Sequence, residues 1–377
     1  MKIILDAAVS GPAPAGLGVW CRSLLEALAE IDRENRYLVW DAFWRDFNRR
    51  RQRIPVPEAS NFRLKLWRLP RQLVTGLEDR GWPLLETGLA AEGADLFHGL
   101  RYFVPRLRRL KGVATIYDLS FVINPGWYQD AWYRNVPLYC RRADAIAAIS
   151  RTTADDLVKH FGLPAKKIEV IYGGVGRPFR PESDRNRLEA FRREQGLERP
   201  FLLTVATSDR RKNLAGLLEA FGLAAERIPE LELVIAGNPA AVQPPLRERI
   251  NRLGLADRIR FPGYLPTTDL VRLYNLALAF VFPSLYEGFG LPVLEAMACG
   301  CPVVTSSVSA LPEVAGGAAR LVDPNRIEDI AAALVEIARR ESLRSELREK
   351  GLLRARDFSW QRAARQTLDL YRRVLAS

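Results

Sequence analysis

SLYEGFGLPVLEAMACG, residues 284–300, decides how the rest of the chain reads. The run AFVFPS just before it is apolar enough for a buried parallel strand, and Pro283 marks its exit. Gly288 and Gly290 permit a sharp turn and a close approach of backbone to a ligand. Pro292 suits the first turn of a helix, so the spacing predicts a helix starting near Leu291. The N–H groups of Phe289, Gly290 and Leu291 would then sit at the positive end of the helix dipole, a seat for phosphate. Two carboxylates bracket that seat, Glu287 on the loop and Glu295 one turn into the helix. A carboxylate repels phosphate but accepts hydrogen bonds from vicinal hydroxyls, as acidic residues do at a ribose. An anion seat flanked by two hydroxyl acceptors describes a nucleoside diphosphate sugar. The plainer alternative is an acidic helix start, worth roughly a few tenths of a kcal/mol to the helix.

Working outward, TSDRRKN (207–213) follows the strand-like FLLTVA and precedes NLAGLLEAF. That is a strand end, where ligand groups collect in open α/β sheets, and Arg210, Arg211 and Lys212 supply cations for a diphosphate. In the first half GPAPAGLGVW (11–20) joins the first strand to the first helix, with Gly16 and Gly18 opening that helix. One glycine pair is short of a dinucleotide fingerprint, yet it lets backbone approach a sugar or diphosphate.

The strand–helix alternation extends over the chain. KIILDAAV, RYLVWDA, LFHGL, GVATIYDL, AIAAIS and IEVIYGGV read as strands, with helical periodicity in GVWCRSLLEALAEI and RTTADDLVKHFG. Thr152 or Thr153 with Asp155 and Asp156 suits an acidic N-terminal turn for the latter. RPFRPESDRNR (177–187) is polar and proline-bearing, like a linker, and the alternation then restarts with FLLTVAT, LELVIAG, IRFPGYL, LALAFVFPS, CPVVTSS and ARLVDP. The expected architecture is α/β, two doubly wound Rossmann-like domains over 1–180 and 190–356, facing across a cleft. In the last segment, 357–377, Trp360, Ala364, Thr367, Leu368, Tyr371 and Val374 share one helical face, which predicts a helix crossing back to dock on the first domain.

Composition narrows the function. The 377 residues include 48% hydrophobic residues, enough for real cores. The start reads as lacking a secretory signal, and no window has the apolar length of a membrane span. The four scattered cysteines read as small buried thiols of a cytoplasmic protein. Two histidines, His98 and His160, exclude a multi-histidine metal centre. Of the net charge of +12, residues 1–180 carry +9, concentrated in WRDFNRRRQR (44–53) and FRLKLWRLPRQ (62–72). That basic, aromatic stretch fits nucleic acid, an anionic membrane surface, a phosphorylated acceptor or a solvated face.

Taken in order, AGLGVWCRSLLEAL, DLFHGLRYFVP, TIYDLSFVINP, AISRTTADDL, IEVIYGGV, TVATSDRRKNLAGLLEAF, LVIAG, IRFPGYLPTTDLVRLYNLA and residues 280–324 resemble the GT-B glycosyltransferases of family four, the group 1 type. The resemblance implies retaining transfer from a nucleotide sugar. It matches Glu287 to the transferred sugar, Glu295 to the ribose, and Gly288, Phe289, Gly290 and Leu291 to the backbone around sugar and phosphate. Arg211 and Lys212 match the diphosphate cations, Gly16 with Gly18 the closing N-terminal loop, and Tyr264 the base contact. Thr207 stands where some relatives carry a further arginine. Asp118 keeps the loop in TIYDLSF, but Tyr117 replaces the histidine common in relatives. With Tyr117, His98 is expected on the acceptor side, ordering it or packing in the interior rather than acting as a base. Catalysis is expected from Glu287, Lys212, Arg211 and Asp118, without a covalent nucleophile, cofactor or catalytic metal.

The pattern TIYDLSF, SDRRKN and SALPEV looks most like polysaccharide or O-antigen mannosyltransferases, implying GDP-mannose, a glycan or lipid-linked acceptor, and a cytoplasmic protein peripheral on an anionic membrane. UDP-glucose, UDP-N-acetylglucosamine and UDP-galactose stay open as donors. An epimerase of the same architecture would need acid–base residues around its sugar. A nucleic-acid-binding protein would give no reason for Glu287 and Glu295, since carboxylates repel phosphate backbones.

Overall fold

The computed structural model describes residues 1–377 apart from 8–15, 91, 129–130, 207–208 and 238–243, and apart from the side chains of 49, 90, 131, 132 and 206. The chain forms two compact units, Met1–Gly174 with Ser359–Ser377, and Val175–Phe358.

In the first unit, strands β1 (Lys2–Asp6), β2 (Arg36–Ala42), β3 (Phe62–Trp67), β4 (Leu96–Gly99), β5 (Lys111–Ile116), β6 (Ala145–Ala148) and β7 (Ile168–Val170) make one parallel sheet. Their order is β3-β2-β1-β4-β5-β6-β7, so the winding reverses between β1 and β4. Short strands of Ile, Leu, Val and Ala suit a sheet buried on both faces, and Ile4, Leu38, Trp40, Phe97 and Phe103 are in its core. The helix Trp360–Ala376 belongs to this unit: Trp360, Ala364, Thr367, Leu368, Tyr371 and Val374 are buried, and Trp360 meets Trp20 edge-on at 5.0 Å. Ser359 caps it, accepting from Arg362 N.

Strand β3 departs from the sequence reading. FRLKLW, taken there as part of a basic face, pairs with β2 from Tyr37↔Phe62 to Ala42↔Trp67. Phe62 stacks on Tyr37 at 4.4 Å and Trp67 packs edge-on against Trp40 at 5.6 Å. Arg and Lys alternating with apolar residues is how an edge strand keeps one side soluble. Arg71 is also withdrawn from the surface charge: it pairs with Asp6 and with Asp41 (3.0 Å), its guanidinium 5.2 Å from the Trp40 ring centroid.

In the second unit β8 (Phe201–Ala206), β9 (Glu232–Gly237), β10 (Ile259–Gly263), β11 (Ala279–Phe282), β12 (Val303–Ser306) and β13 (Arg320–Val322) form a parallel sheet ordered β10-β9-β8-β11-β12-β13. Its reversal lies between β8 and β11. Leu217, Leu218 and Phe221 of the helix Leu214–Arg227 pack with Val281, Ile330 and Leu334 in one core. The segment read as a linker starts this unit: Glu182 N donates to Asn275 Oδ1 (2.8 Å), and Asp184 caps a helix, Arg185–Glu194, that buries only Phe191. One apolar anchor in a charged helix leaves little periodicity to find. The helix Arg151–Phe161 is capped by Ser150, which accepts from Thr153 N, rather than by the threonines. All four cysteines are buried and free, and burial pushes the Cys21 and Cys140 thiols up to about 12.

Candidate active site at the switch point of the second sheet

The winding reverses between β8 and β11, and in open α/β sheets ligands bind outside the carboxyl ends of the strands at such a switch point. The two motifs singled out in the sequence leave from these two strands. After β8 the chain makes a single 3-10 turn, Arg210–Lys212, before the helix Leu214–Arg227. After β11 it runs through Pro283 and Glu287 to the helix Leu291–Ala298. Leu285 N donates to Arg211 O at 2.7 Å, fastening one loop to the other.

Lys212 and Glu287 meet at this junction. Lys212 Nζ lies 2.7 Å from Glu287 Oε1, with the side chains 16% and 10% exposed. The ammonium also sits 4.6 Å from the centroid of the Phe282 ring. A charge pair this sheltered from water has a well-defined geometry. The Glu287 backbone is held as well: its N–H donates to Ser309 Oγ (3.0 Å) and its carbonyl accepts from Ala310 N (3.3 Å).

The basic trio is divided by its surroundings. Arg210 is exposed. Arg211 is held by Asp209, which accepts from its N–H (2.9 Å), Nε (2.8 Å) and a terminal nitrogen (2.6 Å). Burial works to raise the Asp209 carboxyl, but the bonds from Arg211 together outweigh it and hold it below its usual range. Thr207 lies outside the described residues.

The helix Leu291–Ala298 begins at Leu291, as the proline spacing predicts. Gly290 precedes it with φ 109°, and a Cβ there would come 2.7 Å from Leu311 Cδ2, so both backbone and space require glycine. Among the described residues, the N–H groups of Gly290 and Leu291 have no acceptor, as the first turn of a helix dictates. Gly288 and Phe289 are buried beside them. Glu295 as a residue is partly exposed, but its carboxyl turns inward. Burial lifts that carboxyl to about 7, against the opposing hydrogen bond from the buried Tyr274 hydroxyl at 3.4 Å. Tyr264, just past β10, is exposed.

Asn213, Ser309 and Asp209 escaped the sequence reading. Asn213 adopts the left-handed conformation (φ 52°), and its Nδ2 donates to Pro283 O (3.2 Å) and Pro324 O (2.7 Å). One amide thus ties the basic turn to the exits of β11 and β13. An asparagine directly after a turn carries a signal for this, since Asn tolerates left-handed backbone. Ser309 (φ 56°) carries none.

The remaining candidates belong to the first unit. Gly16 opens the helix Gly16–Ile31 at an exposed position where an added Cβ would touch nothing, and Gly18 is buried one step in; residues 11–15 of that loop lie outside the described residues. Asp118 Oδ1 accepts from Ser120 N (3.0 Å) and Oγ (2.6 Å), shaping the turn after β5. Tyr117 and His98 point inward. The Tyr117 hydroxyl donates to Leu100 O (2.9 Å) and contacts Cys21 Sγ (3.4 Å). His98 is fully buried, with Nδ1 2.6 Å from Tyr371 Oη and Nε2 2.8 Å from Thr115 Oγ1, and burial holds it neutral, near 3. Of its two open readings, interior packing is the one the structure has.

Comparison with known proteins shows the family of the chain. The family described as Glycosyl transferases group 1 matches residues 187–354, and Glycosyltransferase Family 4 matches residues 14–176. The chain is 32% identical over 282 residues to the O-antigen chain mannosyltransferase B of Escherichia coli, 74% of each chain. It is 33% identical over 279 residues to the serotype-specific mannosyltransferase WbdA of Escherichia coli, covering 71% of this chain but 34% of that longer protein. In fold it is similar to the sucrose-phosphate synthase of Thermosynechococcus elongatus, with a TM-score of 0.78, 22% identity and coverage of 100% and 99%. The chain therefore belongs to the group 1 glycosyltransferases of family 4 and is a glycosyltransferase of GT-B fold.

Proposed function

We propose that this glycosyltransferase moves a mannosyl group from GDP-mannose to a hydroxyl of a glycan or lipid-linked glycan, with retention at the anomeric carbon, in cell-surface polysaccharide synthesis. The observation that carries the reading is the Lys212–Glu287 pair, 2.7 Å apart and sheltered, beside the open N–H groups of Gly290 and Leu291. The choice of mannose takes its support from the relatives named as mannosyltransferases.

In this reading the diphosphate rests on the Gly290 and Leu291 amides with Lys212 alongside, and Arg211 joins when its hold on Asp209 relaxes. Positive charge fixed where negative charge develops on the departing diphosphate is the largest catalytic effect. Glu287 gives its carboxylate to hydroxyls of the transferred sugar, Glu295 to the ribose, and Tyr264 lies against the base. Gly288 and Phe289 bring backbone close to the sugar. In the first unit, Gly16 and Gly18 open the helix Gly16–Ile31 and Asp118 shapes the turn after β5. The leaving phosphate takes the acceptor proton as the acceptor oxygen attacks from the same face, so no covalent nucleophile is assigned. Cations from the protein serve the phosphates, and the reaction runs without cofactor or divalent metal. The protein works as a peripheral protein on the anionic inner face of the cell membrane. Among the described residues no helix is long and apolar enough to cross one.

A thermal-shift panel of GDP, GDP-mannose, UDP, ADP and single-stranded DNA tests this directly, because a ligand that binds only the folded state raises Tm. GDP and GDP-mannose are expected to raise it most, and the anomeric configuration of the product reports retention. A response to UDP alone moves the donor to a UDP-sugar. A response to DNA alone overturns the enzyme site.

A further inference from the structure

Residues 44–73 carry nine Lys and Arg against two acidic residues. With Phe62, Trp67 and Arg71 packed inside the first unit, the exposed part of this stretch has a different composition from the one the sequence suggests. Trp44 is 65% exposed, and Leu69 and Leu73 are exposed too. Ala42 and Trp67 are register partners at the carboxyl ends of β2 and β3, and Phe43 N donates to Trp67 O at 3.1 Å. Trp44 and Leu69, two residues beyond each, therefore emerge at the same end of neighbouring strands. Leu73 follows in the first turn of the helix Arg71–Asp79, and Trp82, 64% exposed, lies just past its last turn. Around them Arg45, Arg51 and Arg68 are exposed, with Arg68 4.5 Å from the Phe47 ring centroid and Arg50 5.0 Å from that of Phe43.

A folded protein gains nothing from leaving two tryptophans and two leucines in water, and a purely electrostatic partner does not need them. Tryptophan among arginines is the composition of the bilayer interface, where the ring lies at headgroup depth and the cations meet lipid phosphates. We propose that this end of the first unit docks on an anionic lipid bilayer, with Trp44, Leu69 and Leu73 entering the interface, Trp82 anchoring the far end of the helix, and Arg45, Arg51 and Arg68 on the headgroups. The proposal rests on the peripheral-membrane reading above and assigns its contact surface. Nucleic acid also meets basic patches, but it gives no reason for exposed leucines beside exposed tryptophans.

The test compares the full chain with the variant Trp44→Gln/Leu69→Ser/Leu73→Ser, all three exposed, after checking that both unfold at the same temperature. Each is sedimented with phosphatidylcholine vesicles with and without phosphatidylglycerol, at low and at physiological salt, and brominated lipid is used to quench tryptophan fluorescence. The parent is expected to bind the anionic vesicles, to stay bound at physiological salt and to be quenched. The variant should bind about tenfold more weakly and wash off with salt, because charge attraction alone is screened. Equal binding by parent and variant, without quenching, overturns the docking edge while the membrane reading stands. No binding of the parent to anionic vesicles at low salt overturns both. Equal affinity of parent and variant for single-stranded DNA, with no preference for vesicles, assigns the patch to nucleic acid instead.

Discussion

Lys212→Met removes the cation that the proposed reaction places beside the departing diphosphate, and the structure sets two separate magnitudes for it. For stability, the ammonium sits 2.7 Å from Glu287 Oε1 with the two side chains 16% and 10% exposed. Breaking a fully buried pair from one side costs about 3–5 kcal/mol. The residual exposure lets water reach the orphaned carboxylate, and the loss falls to about 1–3 kcal/mol. Glu287→Gln in the same chain removes that charge, so the double variant should regain most of the lost stability. For catalysis there is no such recovery. One preorganised charge aimed at the developing oxyanion is worth about 10²- to 10³-fold in kcat. The expected outcome is that urea unfolding shows the double variant within about 1 kcal/mol of the parent while its release of nucleoside diphosphate stays at or below that of the single variant. Turnover by Lys212→Met within threefold of the parent would falsify the phosphate assignment, whatever happens to stability.

Glu295 makes a pH prediction with a definite sign. Burial lifts its carboxyl to about 7, so the folded protein holds a proton that the unfolded chain releases near 4.5. The stability this group contributes is present at acidic pH and is lost as pH rises from about 4.5 to 7. Glu295→Gln should therefore stabilise the fold relative to the parent at pH 8 more than at pH 5, measured by urea unfolding. Ribose hydroxyls donate to the ionised form, so nucleotide affinity should fall as pH drops below 7 in the parent and stay flat in Glu295→Gln, as read by calorimetry. Gly290→Ala should cost about 1–3 kcal/mol and abolish turnover, because φ is 109° and the new methyl meets Leu311. A variant of parent-like Tm sinks that reading. Asn213→Gly keeps the left-handed backbone but loses both amide bonds, and Asn213→Ala loses both and adds strain. Both should lower kcat, with Ala less stable than Gly by about 1 kcal/mol; equal kcat to the parent removes Asn213 from any role in placing Lys212.

Much of the fold was legible because buried parallel strands are nearly continuous apolar runs. KIILD, FLLTVA and AFVF each announced themselves, as did the tail face from Trp360 to Val374. FRLKLW did not, because an edge strand needs charge on one side and so resembles a basic patch. The helix Arg185–Glu194 hid for a related reason, with Phe191 as its one buried side chain. At the site, the glycine turn and the proline-marked helix start followed from types and spacing, whereas the pairing of Lys212 with Glu287 did not. What brings the two loops together did not either: Asn213 and Ser309 act through a positive φ and through bonds to loop residues more than twenty positions away. For His98 the sequence left the acceptor side and the interior both open, and it put Tyr117 on the acceptor side; bonds to Tyr371 and Cys21, far off in the chain, turn both inward.

The most direct test of the central claim is a crystal structure of the full chain grown with GDP. The diphosphate is expected on the start of the helix Leu291–Ala298, its oxygens within about 3.2 Å of the Gly290 and Leu291 N–H groups and of Lys212 Nζ, with the ribose hydroxyls on Glu295. Diphosphate density away from that helix start, with Lys212 still closed on Glu287, contradicts it.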